Sequence, residues 1–179
     1  MKKIAVFCGA SQGCDPCYME AARALGKLLA EEKIDLIYGG SRMGLMGAVA
    51  DAVIEAGGNA IGVIPKKLMT VEVAHDQLTE LHVVEGMHER KAMMAQLADG
   101  FIALPGGAGT LEEWFEVLTW SQIGYHQKPC SLLNINNYYT PLIGLFDHMI
   151  EQGFVKKEYK ELIILEDDPV KLLQKLKGI

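Results

Sequence analysis

Gly100-Phe-Ile-Ala-Leu-Pro-Gly-Gly-Ala-Gly-Thr-Leu-Glu-Glu113 joins a short aliphatic run, a glycine-rich turn and the opening of a helix. The run Gly100–Leu104 reads as a strand. The glycines after it let the chain turn sharply and bring backbone N–H groups close to a ligand. The helix that follows turns its positive end to the same place, a combination that suits a phosphate. The segment lacks the Gly-Lys-Ser/Thr ending of a Walker A loop and the GxGxxG spacing of dinucleotide binders.

Outward from this segment, short aliphatic runs alternate with longer stretches of helical period, the pattern of βα units around a parallel sheet. The predicted strands are Lys3–Cys8, Ile34–Tyr38, Ala60–Ile64, Glu80–Val84, Gly100–Leu104, Cys130–Leu133 and Leu162–Leu165. The predicted helices are Pro16–Glu31, Leu45–Ala56, Met87–Ala98, Thr110–Ile123, Thr140–Gln152 and Pro169–Lys177. Pro16 and Pro169 suit first helical turns, where no amide donor is needed. Glycine-rich or charged segments follow four of the strands: Gly9-Ala10-Ser11, Gly39–Gly44, Glu85–Lys91 and Pro105–Thr110. In an open parallel sheet these gather at the carboxyl ends of the strands, where ligands bind at the topological switch point. The expectation is one α/β domain over residues 1–179, a Rossmann-like doubly wound parallel sheet flanked by helices. Pro65 to Leu78 is a long irregular stretch, and loops of that length are often functional.

Composition narrows the function classes. Half the residues are hydrophobic and 22% are charged, which excludes a disordered chain. A net charge of −6 argues against a broad nucleic-acid footprint, so no nucleic-acid partner is expected. The apolar run in MKKIAVFCGAS is too short for a signal peptide, and no stretch is long enough to span a bilayer. A cytoplasmic protein without membrane association is expected. Cys14-Asp-Pro-Cys17 has CxxC spacing, but no second CxxC or paired histidines complete a metal site. Reduced cysteines are the plainer reading, with no metal expected.

The charged candidates each have a structural alternative. Thr110-Leu-Glu-Glu113 is equally a capping box, in which Thr110 caps the helix and Glu113 folds back to it. His88-Glu89-Arg90-Lys91 is equally a solvated helix start, although two cations there oppose the dipole and make better sense near an anion. Lys66-Lys67 reads as a solvated pair, and Met93-Met94 as packing. Gly44-Leu-Met-Gly47 falls short of GxGxxG, which leaves a nicotinamide or flavin unsupported.

Met87-His-Glu-Arg-Lys91 followed by Pro105-Gly-Gly-Ala-Gly-Thr-Leu-Glu-Glu113 resembles the LONELY GUY family, the cytokinin riboside 5′-monophosphate phosphoribohydrolases, whose members were often labelled lysine decarboxylases. The likeness extends from Val6–Ser11 through Tyr38–Gly47 to Thr119–Gly124 and covers most of the chain to about Phe154. Ser41-Arg42 departs from it, since many relatives have a glycine and then a small residue there.

The resemblance implies a homodimer, no cofactor, and hydrolysis of an adenosine 5′-monophosphate or its N6-modified forms to free base and ribose 5-phosphate. Arg90 and Glu113 match the catalytic pair. Gly106, Gly107, Gly109 and Thr110 match the residues that hold the phosphate, and Ala108, Leu111 and Ser11 match further substrate-binding positions. Lys91, Glu112 and Thr119 match positions lining the nucleotide, and Glu72 a loop contact to substrate. A carboxylate beneath the sugar stabilises the positive charge that develops there, and a helix N-terminus would favour its ionised form. A non-catalytic nucleotide carrier or sensor is the alternative, because such folds serve many functions.

Overall fold

Along the first strand the side chains alternate between two cores: Ile4 and Val6 enter one, Ala5 and Phe7 the other. That two-period pattern is what a strand buried on both faces requires. The computed structural model describes residues 1–69 and 73–178. In chain order it contains β1 (Lys3–Phe7), α1 (Pro16–Glu31), β2 (Asp35–Tyr38), α2 (Gly44–Glu55), β3 (Ala60–Pro65), β4 (Glu80–Val84) and α3 (Met87–Leu97). There follow β5 (Gly100–Ala103), α4 (Ala108–Gln122), β6 (Cys130–Leu133), α5 (Thr140–Glu151), β7 (Ile163–Glu166) and α6 (Pro169–Lys177).

The strands form one seven-stranded sheet in the order β4-β3-β2-β1-β5-β6-β7. Every neighbouring pair is parallel. Helices α1, α2 and α6 contribute Leu25, Val49 and Leu172 to the core on one face. Helices α3, α4 and α5 contribute Met94, Trp114 and Phe146 to the other. The chain winds outward from β1 to β4, then crosses back to β5 on the other side of β1. The loops leaving β1 and β5 therefore part toward opposite faces. Between neighbouring strands, that divergence opens a crevice.

The expected doubly wound architecture is the one observed. Local signals set several boundaries: the carboxylate of Asp15 accepts from Cys17 N at 2.9 Å, and that of Asp168 from Lys171 N at 2.8 Å. Each caps a helix that opens on proline. Three details differ. Helix α4 starts at Ala108 rather than Thr110, with Gly107 as its cap and no capping side chain. The capping-box reading of Thr110 is thereby overturned, because the glycines admit helical geometry before any polar cap is reached. The last strand lies one residue later than expected, since Lys157–Leu162 forms a 3-10 turn. The stretch Pro65–Leu78 carries a 3-10 turn at Lys66–Leu68 and a bridge between Ser41 and Ala74.

Cys8, Cys14, Cys17 and Cys130 are all free thiols. Among the described residues no helix is long and apolar enough to cross a membrane. None of them gather as three or more His, Cys, Asp or Glu able to hold a metal.

Candidate active site

The crevice at the carboxyl ends of β1 and β5 is a cleft of about 580 Å³. Its floor and one wall are Cys8–Gly13 and Pro105–Gly107, with Gly109 and Thr110 beside the start of α4. Hydrogen bonds lace these loops together: Gly9 N donates to Pro105 O, and Leu45 N to Gly9 O, each at 3.1 Å. The close approach needs glycine at position 106, where a side chain would meet Thr110 Oγ1 at 2.2 Å. Gly107 and Gly109 face open space instead. Amides at the head of a 15-residue helix are thus left open to an anion.

Arg90 reaches the same cleft from α3 and is only 5% exposed. Its Nε donates to Val63 O at 3.1 Å and its Nη2 to Gly39 O at 2.9 Å. Val63 lies within β3 and Gly39 just after β2, so main-chain dipoles stabilise a charge that burial would otherwise penalise. Glu89, one residue earlier, accepts from Glu85 N at 2.8 Å and closes the start of α3. The solvated helix start thus describes exposed His88 and Glu89, while Arg90 turns inward.

Glu113 lines the cleft from α4. Its convergence with Arg90 is felt at Cys8, at the end of β1. Burial pushes the Cys8 thiol up, Glu113 raises it further, and Arg90 opposes both. Two opposite charges from two helices therefore act on one point. Because α4 starts early, Glu113 is its sixth residue, in the second turn. The helix dipole, which fades within the first turn, supports its charge less than a start at Thr110 would have done.

The other sequence candidates divide. Ser11, Gly106, Gly107, Gly109, Thr110 and Glu112 line the cleft with Arg90 and Glu113. Ala108, Leu111 and Thr119 stand outside its lining, Leu111 packing against the core and Thr119 exposed about three turns along α4. Lys91 is also outside, held by Glu112 at 2.5 Å and Glu116 at 3.1 Å. Those carboxylates, Glu112 foremost, push its ammonium pKa up. Glu72 lies outside the described residues. Lys66 pairs with Glu85 at the surface, and Met94 is core.

Sequence reasoning missed the apolar wall of the cleft, formed by Tyr18, Leu45, Met46, Leu68, Met87 and Tyr138. Leu68 is brought there by the Pro65–Leu78 stretch, which is pinned back onto the turn after β2. His75 N donates to Gly40 O at 2.9 Å, and the His75 ring bridges Gln77 N and the Asp51 carboxylate. These contacts span distant parts of the chain, and no local motif announces them.

The family described as "Possible lysine decarboxylase" matches residues 46–176. A "Cytokinin riboside 5'-monophosphate phosphoribohydrolase" of Rhodococcoides fascians is 50% identical, over 93% of this chain and 85% of that protein. The rice enzyme of that name, called LOG, is 48% identical over 98% of this chain and 72% of its own. This chain belongs to the LONELY GUY family. A solved structure, the molybdenum cofactor binding protein of Rippkaea orientalis, shares the fold at a TM-score of 0.76 and 24% identity. It covers 99% of this chain and 96% of its own. The family's decarboxylase label meets a chemical difficulty here. Pyridoxal chemistry needs an amine to form a Schiff base. No lysine is among the residues lining the LONELY GUY cleft, and Lys91 is held as an ammonium between two carboxylates.

Proposed function

We propose that this chain hydrolyses the N-glycosidic bond of an adenosine 5′-monophosphate, plain or N6-modified as in the cytokinins, releasing free base and ribose 5-phosphate. The observation that carries the reading is the meeting of Arg90 and Glu113 in one cleft with the open glycine turn at the head of α4. The names of the relatives described above support it. In this reading the chain acts as one domain over residues 1–179, in the cytoplasm and as a homodimer. Exposed Ile123, Tyr125 and Phe154 supply apolar surface for a second copy.

The 5′-phosphate rests on the amides around Gly107 and Gly109, with Ser11 opposite. That anchorage holds the distant C1′–N bond in place, so binding energy from the phosphate is used at the reacting centre. As the bond lengthens, its electron pair leaves with the base and positive charge builds on the sugar. The Glu113 carboxylate stabilises that charge and takes a proton from the water that adds to C1′. The departing base nitrogen takes a proton from solvent, because His88 does not line the cleft. One water is consumed, and base and ribose 5-phosphate leave. Arg90, protonated throughout with a pKa above about 12, acts as a fixed positive charge on phosphate or leaving base. The apolar wall of Leu45, Met46, Leu68 and Met87 suits a base and its N6 substituent.

The test is a hydrolysis panel of adenosine monophosphate, its N6-isopentenyl derivative, other nucleotides and the matching nucleosides, with free base read by chromatography. Wild-type protein is expected to release base from monophosphates. Glu113→Gln should bind them while turning over roughly a hundredfold slower or worse. Release by that variant at the wild-type rate would remove Glu113 from the chemistry. Binding without any release by the wild type would make the protein a nucleotide carrier or sensor.

A further inference from the structure

Leu104, Pro105 and Gly106 are three successive residues whose carbonyls all accept hydrogen bonds from neighbouring loops. Tyr139 Oη donates to Leu104 O at 2.6 Å, Gly9 N to Pro105 O at 3.1 Å, and Tyr138 Oη to Gly106 O at 2.6 Å. Both phenols come from the loop between β6 and α5. Asn136 and Asn137 stand there in the left-handed region, with φ of 51° and 59°. Asparagine tolerates that conformation better than most residues. The Asn134 carboxamide oxygen accepts from Tyr139 N at 2.7 Å and ties the loop's exit to its entry. Tyr139 is buried, but Tyr138 is 40% exposed and lines the cleft.

We propose that Tyr138 is a positioning residue, whose phenol sets the Gly106–Gly107 peptide so that its amide faces the 5′-phosphate and its carbonyl does not. The inference rests on the nucleotide reading above. In a trans peptide the carbonyl and the following N–H point in opposite directions. Holding Gly106 O against Tyr138 therefore aims Gly107 N–H the other way. Glycines on both sides make this unit prone to rotate, and a rotated carbonyl would turn its oxygen on the anion. The phenol has a single proton, already committed to Gly106 O, so it acts through the turn and not on the phosphate itself. Its ring is braced on two sides. Tyr18 meets it edge-on at 5.9 Å and Tyr139 at 5.1 Å, which links the first turn of α1 to the loop between β6 and α5.

The experiment compares wild type and Tyr138→Phe, which keeps the ring and removes the hydroxyl. Four quantities are read: ribose 5-phosphate binding by calorimetry, kcat and KM for adenosine monophosphate, hydrolysis of adenosine, and thermal midpoint. Ribose 5-phosphate Kd and monophosphate KM are expected to rise about fivefold, the scale of one hydrogen bond. The kcat should stay within about twofold, with adenosine hydrolysis and the midpoint unchanged. A merely structural tyrosine would instead lower the midpoint or slow both substrates alike, and either result overturns the inference. Unchanged Kd and KM in Tyr138→Phe overturn it too, while leaving the hydrolase reading intact. If the wild type binds ribose 5-phosphate but releases no base, the hydrolase reading falls alone and the Kd comparison still decides Tyr138. If it binds none, both fall.

Discussion

At the turn after β2, a side chain added to Gly39 would strike Arg90 Nη2 at 2.0 Å, whereas one added to Gly107 or Gly109 after β5 would meet nothing within 4 Å. The two turns look alike in sequence and follow the strands that flank β1 on either side. One has given its side-chain space to the protein's own guanidinium. The other has kept that space for something the protein does not supply. A glycine-rich turn at the end of a parallel strand is therefore not by itself a ligand contact. What matters is which atoms occupy the volume a Cβ would fill.

The comparison can be broken or sharpened by substitution. The largest effect is expected from Arg90→Ala. It removes the buried charge and leaves the carbonyls of Gly39 and Val63 without their donor, at about 1–3 kcal/mol each. A fall in kcat/KM of roughly a hundredfold and a lower thermal midpoint should appear together. Gly39→Ala should come next, displacing the guanidinium and costing roughly tenfold to a hundredfold in kcat/KM. In the double variant the Gly39 change should add almost nothing, because both act through one side chain. Additive losses would mean that Gly39 does something other than seat Arg90.

Gly107→Ala is the opposite case. Its methyl would project into open cleft, so the midpoint should hold while monophosphate KM rises about fivefold and nucleoside hydrolysis is spared. A lowered midpoint would show that this turn is packed after all.

The smallest effect belongs to the far end of the sheet. There the Asp99 carboxylate accepts from Lys2 N at 2.6 Å and Lys3 N at 3.0 Å. These backbone bonds, Lys2 first, hold its pKa below the ordinary 3.8. A depressed carboxylate stabilises the fold above the unfolded value and loses that contribution as pH falls through the folded one. Wild type should exceed Asp99→Asn slightly in midpoint at pH 7. The gap should close as pH drops below 3.8, with hydrolysis at pH 7 the same in both.

How much could be read beforehand follows from the range of each interaction. The strands and the proline-opened helices were legible because apolar runs and the caps Asp15 and Asp168 act within a few residues. The doubly wound order followed from the alternation of elements. The start of α4 was misplaced because Thr110 carries a polar cap signal, while the glycines before it permit helix without one. That Arg90, Glu113 and the glycine turn after β5 belong to one cleft was legible from their motifs, but the separate surroundings of the two glycine turns were not. That distinction depends on Arg90 and Gly39, which lie 51 residues apart. Tyr138 was invisible for the same reason, meeting Gly106 across 32 residues.

Because Arg90 is gripped by main-chain oxygens, its placement belongs to the sheet and, Gly39 apart, not to its neighbours' identities. Exchanging Val63 for another β-former leaves the same oxygen in the same place. The hydrophobic wall opposite is built entirely of side chains and has no such immunity. Selection can therefore redraw the wall to admit a bulkier or smaller base while the charged machinery stays still, and a designer can do likewise.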